Sequence, residues 1–382
     1  MRTDNLSSSP PAGLYIHIPF CQTKCPYCDF YSITDTALLP SFLQCLQREM
    51  ELHADIFTCF DSIYIGGGTP SLLSIQQMDA LLTKIHAIFH IATDAEITVE
   101  INPADWKGEE LRALRHCGVN RLNIGVQSLV NEPLLGRRHS TADAINTIEN
   151  ALNANFKNIG ADMIYGLPQQ TLTQWRQSLT KILDFPLQHL SCYQLEVKAE
   201  TPMGKLLAQG GLTLLPEEAQ RDFFFLTADL LEASGYLHYE VSNFAQGANF
   251  ASRHNQKYWE HLPYLGVGPA AHSFSQGRRW NNFAHVITYC QSVKEGQLPV
   301  EQQEVMDKQD LLREAIFLGI RTKKGIEVEA LRRRHLVDIL QERKALIKAL
   351  EQAGLIVIHG THLSPTRDGL AVADGIALLF DY

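Results

Sequence analysis

The sequence predicts an α/β protein in which six β/α units form a partial barrel of the TIM type, followed by a small winged-helix-like α+β domain. Two observations predict the barrel. Apolar strand segments alternate six times with segments of helical periodicity, an order that is typical of a parallel sheet covered by helices. Polar residues and glycines also follow these strands, at the edge where such folds carry their chemistry. A later run of helices that ends in a short hairpin predicts the smaller domain.

The segments of the barrel follow one another in regular alternation. Strands are predicted at residues 14–20, 62–65, 96–100, 121–127, 159–165 and 189–197. Helices are predicted at residues 38–56, 75–89, 107–117, 142–155, 172–183 and 217–234. Right-handed crossovers between such strands allow the sheet to curl into a complete or partial barrel.

Beyond the sixth strand the β/α repeat weakens. In the tail, helices are predicted at residues 311–320, 327–334 and 336–353, before a hairpin at 354–363 and a last helix after Thr366. We therefore predict four regions along the chain. They are a disordered lead-in at 1–13, the barrel at 14–245, a connecting region at 246–305 and the C-terminal domain at 306–382.

The composition is that of a globular protein with ample material for a core. Of 382 residues, 45% are hydrophobic and 20% are charged. The net charge of −9 argues against nucleic-acid binding, which depends on neutralising phosphates. A basic run at residues 332–335 is therefore interpreted as a solvated helix face. No apolar run approaches the ~20 residues of a membrane span, so none is predicted.

Most of the cysteines lie far apart in predicted helices and strands. The scattered ones are Cys45, Cys59, Cys117, Cys192 and Cys290. This pattern predicts buried free thiols in a reducing compartment rather than a disulfide framework. The polar N-terminus also lacks the apolar segment of a signal peptide. Together these features predict a soluble cytoplasmic protein.

Three cysteines depart from that scatter. Cys21, Cys25 and Cys28 lie within eight residues, directly after the first predicted strand. Such a group of thiolates suits an iron–sulfur cluster or zinc. A structural zinc site needs a fourth ligand, yet no second Cys or His pair follows at finger-like spacing, and His17 lies within the strand. Three thiolates leave one iron of a 4Fe–4S cluster open to a substrate or cofactor, although a zinc knuckle or three unconnected thiols remain alternatives.

Further polar features follow the other strands. The three glycines at 66–68 follow the second strand. Their backbone, unshielded by side chains, can approach a small cofactor closely, and the alternative is that they simply form a tight turn. Glu100 at the end of the third strand can accept hydrogen bonds from ribose hydroxyls, or it caps a helix or forms a salt bridge. Gln127 ends the fourth strand; for it and for Arg137 the alternative is a surface residue or a structural hydrogen-bonding residue. Asp162 lies between apolar neighbours in the fifth, where a carboxylate must be hydrogen-bonded or paired.

These motifs resemble those of the oxygen-independent coproporphyrinogen III oxidase-like group of radical S-adenosylmethionine (SAM) proteins. The likeness covers nearly the whole chain and is strongest to the heme-chaperone branch of that group. The segments that carry it are 14–30, 66–71, 100–103, 125–128, 162–168, 254–259 and 265–273. The resemblance implies that residues 14–245 form a radical SAM core and that residues 306–382 form the C-terminal domain typical of the group.

The resemblance also implies cofactor ligands. It implies that Cys21, Cys25 and Cys28 bind a 4Fe–4S cluster. It implies SAM contacts for nine residues, which are Tyr15, Tyr27, Gly67, Gly68, Thr69, Glu100, Gln127, Arg137 and Asp162. Arg138 stands next to Arg137 and competes for the same role. The cluster then supplies an open iron that SAM chelates.

A His-Asn-x-x-Tyr-Trp block implies a heme site at His254, Tyr258 and Trp259, because this block is associated with heme binding in the chaperone branch. His254 is chemically suited to be an axial ligand, and the alternative is a structural histidine hydrogen-bonded in a turn. In the oxidases proper the cluster motif ends Cys-x-Cys. Here Asp29 and Phe30 follow Cys28, which counts against decarboxylase activity.

Two functions therefore stand. The first is a heme chaperone that binds heme and a SAM-chelating 4Fe–4S cluster and transfers heme to client proteins. The alternative is a radical SAM enzyme that acts on a porphyrinogen. The expected partners are heme and the client proteins that accept it, and nucleic acid is not expected. The sequence does not decide whether the protein forms a homodimer.

Overall fold

The computed structural model describes residues 10–57, 59–130 and 133–380, and in these ranges it contains one twelve-stranded and one three-stranded sheet. The first six strands are β1 (Ala12–Ile18), β2 (Cys59–Gly67), β3 (His90–Ile101), β4 (Arg121–Gln127), β5 (Ile159–Tyr165) and β6 (His189–Gln194). The next six are β7 (Leu237–Glu240), β8 (Asn243–Ala245), β9 (Tyr264–Val267), β10 (His272–Ser275), β11 (Arg278–Asn282) and β12 (Val300–Val305). The small sheet consists of β13 (Ile326–Glu327), β14 (Ile356–His359) and β15 (His362–Pro365).

Fifteen α-helices cover these sheets in the described ranges. Those before residue 235 are α1 (Leu39–Leu52), α2 (Ile75–Ile88), α3 (Gly108–His116), α4 (Thr141–Asn153), α5 (Leu172–Leu183), α6 (Pro202–Ala208) and α7 (Glu217–Ala233). The later ones are α8 (Arg253–Trp259), α9 (Val286–Lys294), α10 (Lys308–Ile320), α11 (Val328–His335), α12 (Ile339–Glu342), α13 (Lys344–Gln352), α14 (Arg367–Leu370) and α15 (Ala373–Leu379). None of these helices combines the length and apolarity of a membrane span.

The six predicted strands form the centre of the large sheet. Strands β1 to β6 lie side by side in chain order, and every neighbouring pair is parallel. Their apolar side chains are buried because helices cover the outer face; Leu14, Ile63 and Leu122 have no exposed surface. The predicted α/β fold with a partial barrel is confirmed.

The barrel helices start where the sequence supplies a cap. Ser74, Ser140 and Thr171 each accept a hydrogen bond from a backbone N–H in the first turn of α2, α4 and α5. The residue three positions later bonds back to the backbone of the cap in all three helices. Local sequence therefore fixes where each of these helices begins, at the carboxyl edge of the strands where the functional loops also lie.

Strands beyond the six parallel ones were not predicted as part of the sheet. On one side β9 pairs parallel with β1, and β10, β11 and β12 follow as antiparallel strands. On the other side β8 and β7 extend the sheet from β6. Residues 264–305, predicted to be a connection, thus build four strands. At the N-terminus, residues 1–9 of the predicted lead-in lie outside the described residues, and Ala12 and Gly13 belong to β1.

The C-terminal segment has its own apolar core and resembles a winged helix. Helices α10, α11 and α13 pack with the antiparallel sheet β13–β15–β14, and Ile316, Ile347 and Leu363 lie at the centre. The single helix predicted at 336–353 is wrong. Leu336 takes a left-handed conformation with φ of 61° that ends α11, and Arg343 separates α12 from α13.

Candidate functional site

The three clustered cysteines lie on a loop that leaves the carboxyl end of β1. Two backbone hydrogen bonds close this loop: Cys21 N–H donates to Ile33 O, and Ile33 N–H donates to Pro19 O, both at 2.9 Å. Cys21, Cys25 and Cys28 are partly exposed on it, and all eight cysteines of the chain are free. The loop thus presents three thiols at the edge of the sheet where the sequence predicted them.

Side chains from the loops that follow β2 and β4 reach the sulfur atoms. The Thr69 hydroxyl donates to Cys21 Sγ at 3.4 Å, and Arg137 Nη1 donates to Cys25 Sγ at 3.7 Å. Burial raises the pKa of the Cys28 thiol, and the nearby Cys25 and Cys21 thiols add to the rise. The three thiols are therefore close enough to influence one another's ionisation.

The donor set fits a 4Fe–4S cluster. Three thiolates are soft ligands for iron, and the guanidinium of Arg137 can offset their negative charge. Within the described ranges no three His, Cys, Asp or Glu side chains converge closely enough to hold a single metal ion. The ligands of a cluster bind separate iron atoms, so a cluster does not require such convergence.

A cavity of about 490 Å³ opens beside the cysteine loop, at the carboxyl ends of the parallel strands. Nine of the predicted cofactor residues line it, namely Tyr27, Cys28, Gly67, Gly68, Thr69, Glu100, Gln127, Arg137 and Asp162. Its volume lies in the range of small-molecule sites. We call this space the rim cavity.

The glycine turn after β2 is a tight turn and also exposes backbone to the rim cavity. Gly68 N–H donates to Ile18 O at 2.8 Å, and a Cβ on Gly68 would lie 2.6 Å from Phe20 O. Gly67 has φ of 105° and its N–H donates to Glu100 Oε2 at 3.2 Å. Glycine is required at both positions because β1 and β2 approach closely where they end.

Glu100 lies inside the barrel, and among the described residues it forms neither the helix cap nor the salt bridge that were the alternatives. Tyr64 Oη donates to its Oε1 at 2.7 Å, and Gly67 N–H to its Oε2. Burial, and then the charge of Asp162, raise the pKa of Glu100 to about 7. Each carboxylate oxygen can accept a further hydrogen bond from a ligand in the cavity.

Asp162 contributes an acceptor without a partner. Asn123 Nδ2 donates to Asp162 Oδ2 at 2.7 Å, while the buried Oδ1 accepts no hydrogen bond from the described part of the chain. Burial raises the pKa of this carboxyl. A buried polar atom without a partner costs stability unless a ligand or water supplies the bond, so this oxygen fits a polar ligand in the rim cavity.

Gln127 and Arg137 complete the wall. Gln127 ends β4 with φ of 66°, a conformation that costs energy for a residue with a side chain and that recurs at functional sites. Arg137 Nη2 donates to Asn102 Oδ1 at 2.7 Å and to Gly125 O at 2.9 Å. Arg138 instead pairs with Asp105 at 2.8 Å and does not line the rim cavity.

Two asparagines in this site were not singled out from the sequence. Asn123 orients Asp162. Asn102 is hydrogen-bonded both to Thr69, which contacts Cys21, and to Arg137, which contacts Cys25; its Nδ2 donates to Thr69 Oγ1 at 3.0 Å. Asn102 was part of the quoted segment 100–103, but nothing marked its role. Asn123 could have been found from its place between two apolar residues in the middle of a strand.

Tyr15 does not reach the rim cavity. Its hydroxyl is hydrogen-bonded to His17 Nδ1 at 3.0 Å, and its ring lies near those of Tyr64 and His254, with centroids 6.2 Å away in both cases. The ring therefore packs inside the barrel, next to the tyrosine that binds Glu100.

The predicted heme residues lie on two faces of α8. His254 is 1% exposed; Ser62 Oγ is hydrogen-bonded to its Nδ1 at 3.2 Å, and Tyr258 Oη to its Nε2 at 2.9 Å. Lys257 anchors the same face by an ion pair with Asp61 at 2.8 Å. Trp259 lies on the other face and lines a separate cavity. His254 thus has the geometry of a structural histidine, in a helix rather than a turn, with no free ring nitrogen for iron in this conformation.

Comparison with known proteins agrees with this geometry. The Radical SAM superfamily profile matches residues 15–182, and the HemN C-terminal domain profile matches residues 306–372. The heme chaperone HemW of Lactococcus lactis is 36% identical over 329 residues, which cover 84% of this chain and 84% of that protein. The heme chaperone HemW of Bacillus subtilis is 33% identical over 348 residues, 90% of this chain and 92% of that protein. The chain belongs to the HemW family of radical SAM proteins.

A solved structure has the same fold as this chain. The structure of coproporphyrinogen III oxidase (HemN) from Escherichia coli matches with a TM-score of 0.84, covering 98% of this chain and 90% of that chain. The two sequences are 23% identical, so this likeness establishes the fold alone. The family and fold predicted from the sequence are confirmed, and a 4Fe–4S cluster with SAM is the cofactor pair that a radical SAM fold implies.

Proposed function

We propose that the protein is a heme chaperone, which binds heme and a SAM-chelating 4Fe–4S cluster and transfers heme to client proteins in the cytoplasm. The observation that carries the proposal is the loop of three free thiols beside the rim cavity, in a chain related over most of its length to proteins named heme chaperones. Free thiols throughout the chain suit a reducing compartment.

The cysteine loop would hold the cluster through Cys21, Cys25 and Cys28. When bound, the cluster supplies a redox-active iron with one position left for SAM. Thr69 and Arg137 already contact two of the sulfur atoms, so both orient the thiols, and Arg137 also adds positive charge next to them. The chain's part is to fix the loop at this edge of the barrel.

The rim cavity would hold SAM. Asp162 Oδ1 offers a buried acceptor without a partner, and Glu100 offers two more oxygens at the strand end. The turn at Gly67 and Gly68 exposes backbone, and Tyr27, Gln127 and Arg137 close the wall. Tyr15 contributes indirectly in this proposal, since it packs against Tyr64, which positions Glu100.

For heme, the three residues of the predicted block take different roles. Trp259 offers a flat apolar ring to a ligand in the cavity beside α8. His254 holds that helix against the barrel through its hydrogen bond to Ser62, and Tyr258 of the same helix fixes the other ring nitrogen of His254. We propose that the block binds heme through Trp259, with His254 and Tyr258 as positioning residues.

The enzyme alternative is separated from the chaperone by one assay. The reconstituted protein is supplied with coproporphyrinogen III, SAM and a reductant, and protoporphyrinogen IX, deoxyadenosine and carbon dioxide are measured. We expect no conversion, because Asp29 and Phe30 stand where the oxidases carry the end of a Cys-x-Cys motif. Robust turnover would move the protein to the enzyme class.

Transfer is tested on the same preparation. The heme-loaded protein is mixed with the apo form of a heme-dependent acceptor, and holo-acceptor formation is followed by absorbance after the two are separated by size. We expect acceptor loading faster than from free heme, and the elution volume before and after heme loading gives the oligomeric state. Heme that stays on the chain would contradict the delivery part of the proposal.

A further inference from the structure

The described residues form a second cavity, away from the rim cavity. A space of about 800 Å³ lies between the outer face of α8, strand β7 and the helices α10 and α11 of the C-terminal segment. We call it the inter-segment cavity. It is larger than the rim cavity of about 490 Å³, and both volumes lie in the range of small-molecule sites.

The walls of the inter-segment cavity offer flat apolar surface. Trp259 and Leu262 come from the end of α8 and the following turn, and Ala315 and Leu331 come from α10 and α11. The indole N–H of Trp259 is buried and has no hydrogen-bond partner among the described residues. This mix of an aromatic face, aliphatic groups and an unused donor suits a large planar ligand with polar edges.

Three histidines line the cavity, and two of them are engaged. His238 stacks on Phe244 with centroids 4.1 Å apart, and its Nε2 is hydrogen-bonded to Val241 O at 3.2 Å. His261 stacks on Phe274 with centroids 4.4 Å apart, and its Nε2 lies 2.8 Å from Glu314 Oε2.

The third histidine, His335, is half-buried at the end of α11. It has neither a hydrogen bond nor an ion pair within the described ranges. His335 is therefore the histidine of this cavity that can bind a metal without losing an existing bond.

Some of the charged residues that line the inter-segment cavity are paired with one another, and others are not. Among the lining residues, Lys323 pairs with Glu232, and Glu327 lies 3.9 Å from Arg333. Lys324 and Arg334 are exposed and carry no ion pair with any described side chain. Glu260 is the lining acid left without a pair, so cations outnumber acids among the free groups.

The rim cavity has the opposite character. Glu100 and Asp162 lie half-buried in its wall, and Lys198 at its mouth is paired with Glu196. Arg137 is already engaged by Asn102 and by a backbone carbonyl. Carboxylates of a porphyrin would meet acids in the rim cavity but free cations in the inter-segment cavity.

We propose that the inter-segment cavity is the heme site, with His335 as the axial iron ligand, Trp259 against the porphyrin face, and Lys324 and Arg334 facing the propionates. This inference rests on the proposed heme-chaperone function and assigns it a place. It also gives the basic run at 332–335 a role that does not involve nucleic acid. Arg332 and Arg333 lie near acidic residues of the same segment, and Arg334 and His335 line the cavity.

The test titrates the full-length reconstituted protein with three probes: ferric heme, metal-free protoporphyrin IX and the dimethyl ester of ferric heme. His335→Ala should weaken heme binding about tenfold or more and shift the Soret band, because the axial bond is lost. It should leave the metal-free porphyrin unaffected. His359→Ala is the matched control, since His359 is an exposed histidine of β14 outside the cavity.

Two further variants test the cavity without the axial bond. The double variant Lys324→Gln/Arg334→Gln should weaken both carboxylate-bearing probes about tenfold or more and leave the dimethyl ester unchanged. Ala248→Trp, at an exposed position of the cavity lining, should weaken all three probes because the ring fills the mouth.

The outcomes separate this inference from the function on which it rests. If the wild-type chain binds no heme, the proposed function fails. If the wild type binds heme and His335→Ala, the double variant and Ala248→Trp all bind like it, the inter-segment cavity is not the site and the function stands. If, in that case, His254→Ala alone lost heme binding, the iron ligand would be His254 inside the barrel. Loss in the double variant and Ala248→Trp, with His335→Ala unchanged, would overturn His335 as the ligand.

Discussion

Replacing Glu100 by Gln should remove part of the pH dependence of folding stability. In the barrel, Tyr64 Oη donates to Glu100 Oε1 at 2.7 Å, and Gly67 N–H donates to Oε2 at 3.2 Å. Burial, and then the charge of Asp162, raise the pKa of this carboxyl from 4.5 to about 7. The folded chain therefore holds a proton on Glu100 at pH values where the unfolded chain has lost it.

The sign follows from which state binds the proton. Below pH 4.5 the carboxyl is protonated in both states, and its contribution to stability is fully present. As the pH rises from 4.5 through about 7, the unfolded chain ionises first, so the free energy of unfolding falls. A tenfold change in an ionisation equilibrium equals about 1.4 kcal/mol, so the full loss is about 3 kcal/mol, and partial solvent access makes that an upper limit.

Urea unfolding of the cluster-free protein at about pH 5 and about pH 8 measures this loss. Between these pH values the free energy of unfolding should fall about 2 kcal/mol further in the wild type than in Glu100→Gln. Glu109→Gln, at an exposed position of α3, is the control and should behave as the wild type. Equal pH slopes for the wild type and Glu100→Gln would refute the reasoning.

Cys25→Ser should abolish iron–sulfur absorbance after anaerobic reconstitution while the barrel stays folded, because the loop lies at the sheet edge; Cys117→Ser is the control, and stoichiometric zinc without iron in native protein would contradict a cluster. Asp162→Asn should weaken SAM binding about tenfold in equilibrium dialysis, since an amide replaces the acceptor without a partner, and unchanged affinity would place SAM elsewhere. Gly68→Ala should lower the free energy of unfolding by about 1–3 kcal/mol, because its Cβ meets backbone at 2.6 Å. Gly375→Ala meets nothing within 4 Å and should be tolerated, so equal urea midpoints for the two variants would overturn that explanation.

The parallel strands and the cysteine loop were predictable because their signals are local. Strands β1 and β5 are runs of mostly buried residues, which a sheet covered by helices requires, and the three thiols of the loop stand close in sequence. The carboxyl-edge rule then brought Glu100, Gln127 and Asp162 to one cavity, as the structure shows.

The features that were missed depend on contacts distant in sequence. Strand β12, with the sequence VEQQEV, is nearly all exposed and carries no apolar pattern. The burial of His254 is set by Ser62, which is 192 residues away along the chain. The left-handed Leu336, which interrupts a helical pattern, is an apolar residue in a conformation that glycine usually adopts, so no turn signal marked it.

The central claim, that this chain binds heme alongside its cluster, is tested most directly by one titration. The anaerobically reconstituted protein, with SAM present, is titrated with ferric heme while the Soret band and the iron–sulfur absorbance are recorded together. The proposal predicts saturable binding of one heme per chain, with the cluster absorbance unchanged, because the inter-segment cavity and the cysteine loop are separate sites. No saturable Soret change, or heme uptake only as the cluster is lost, would contradict it.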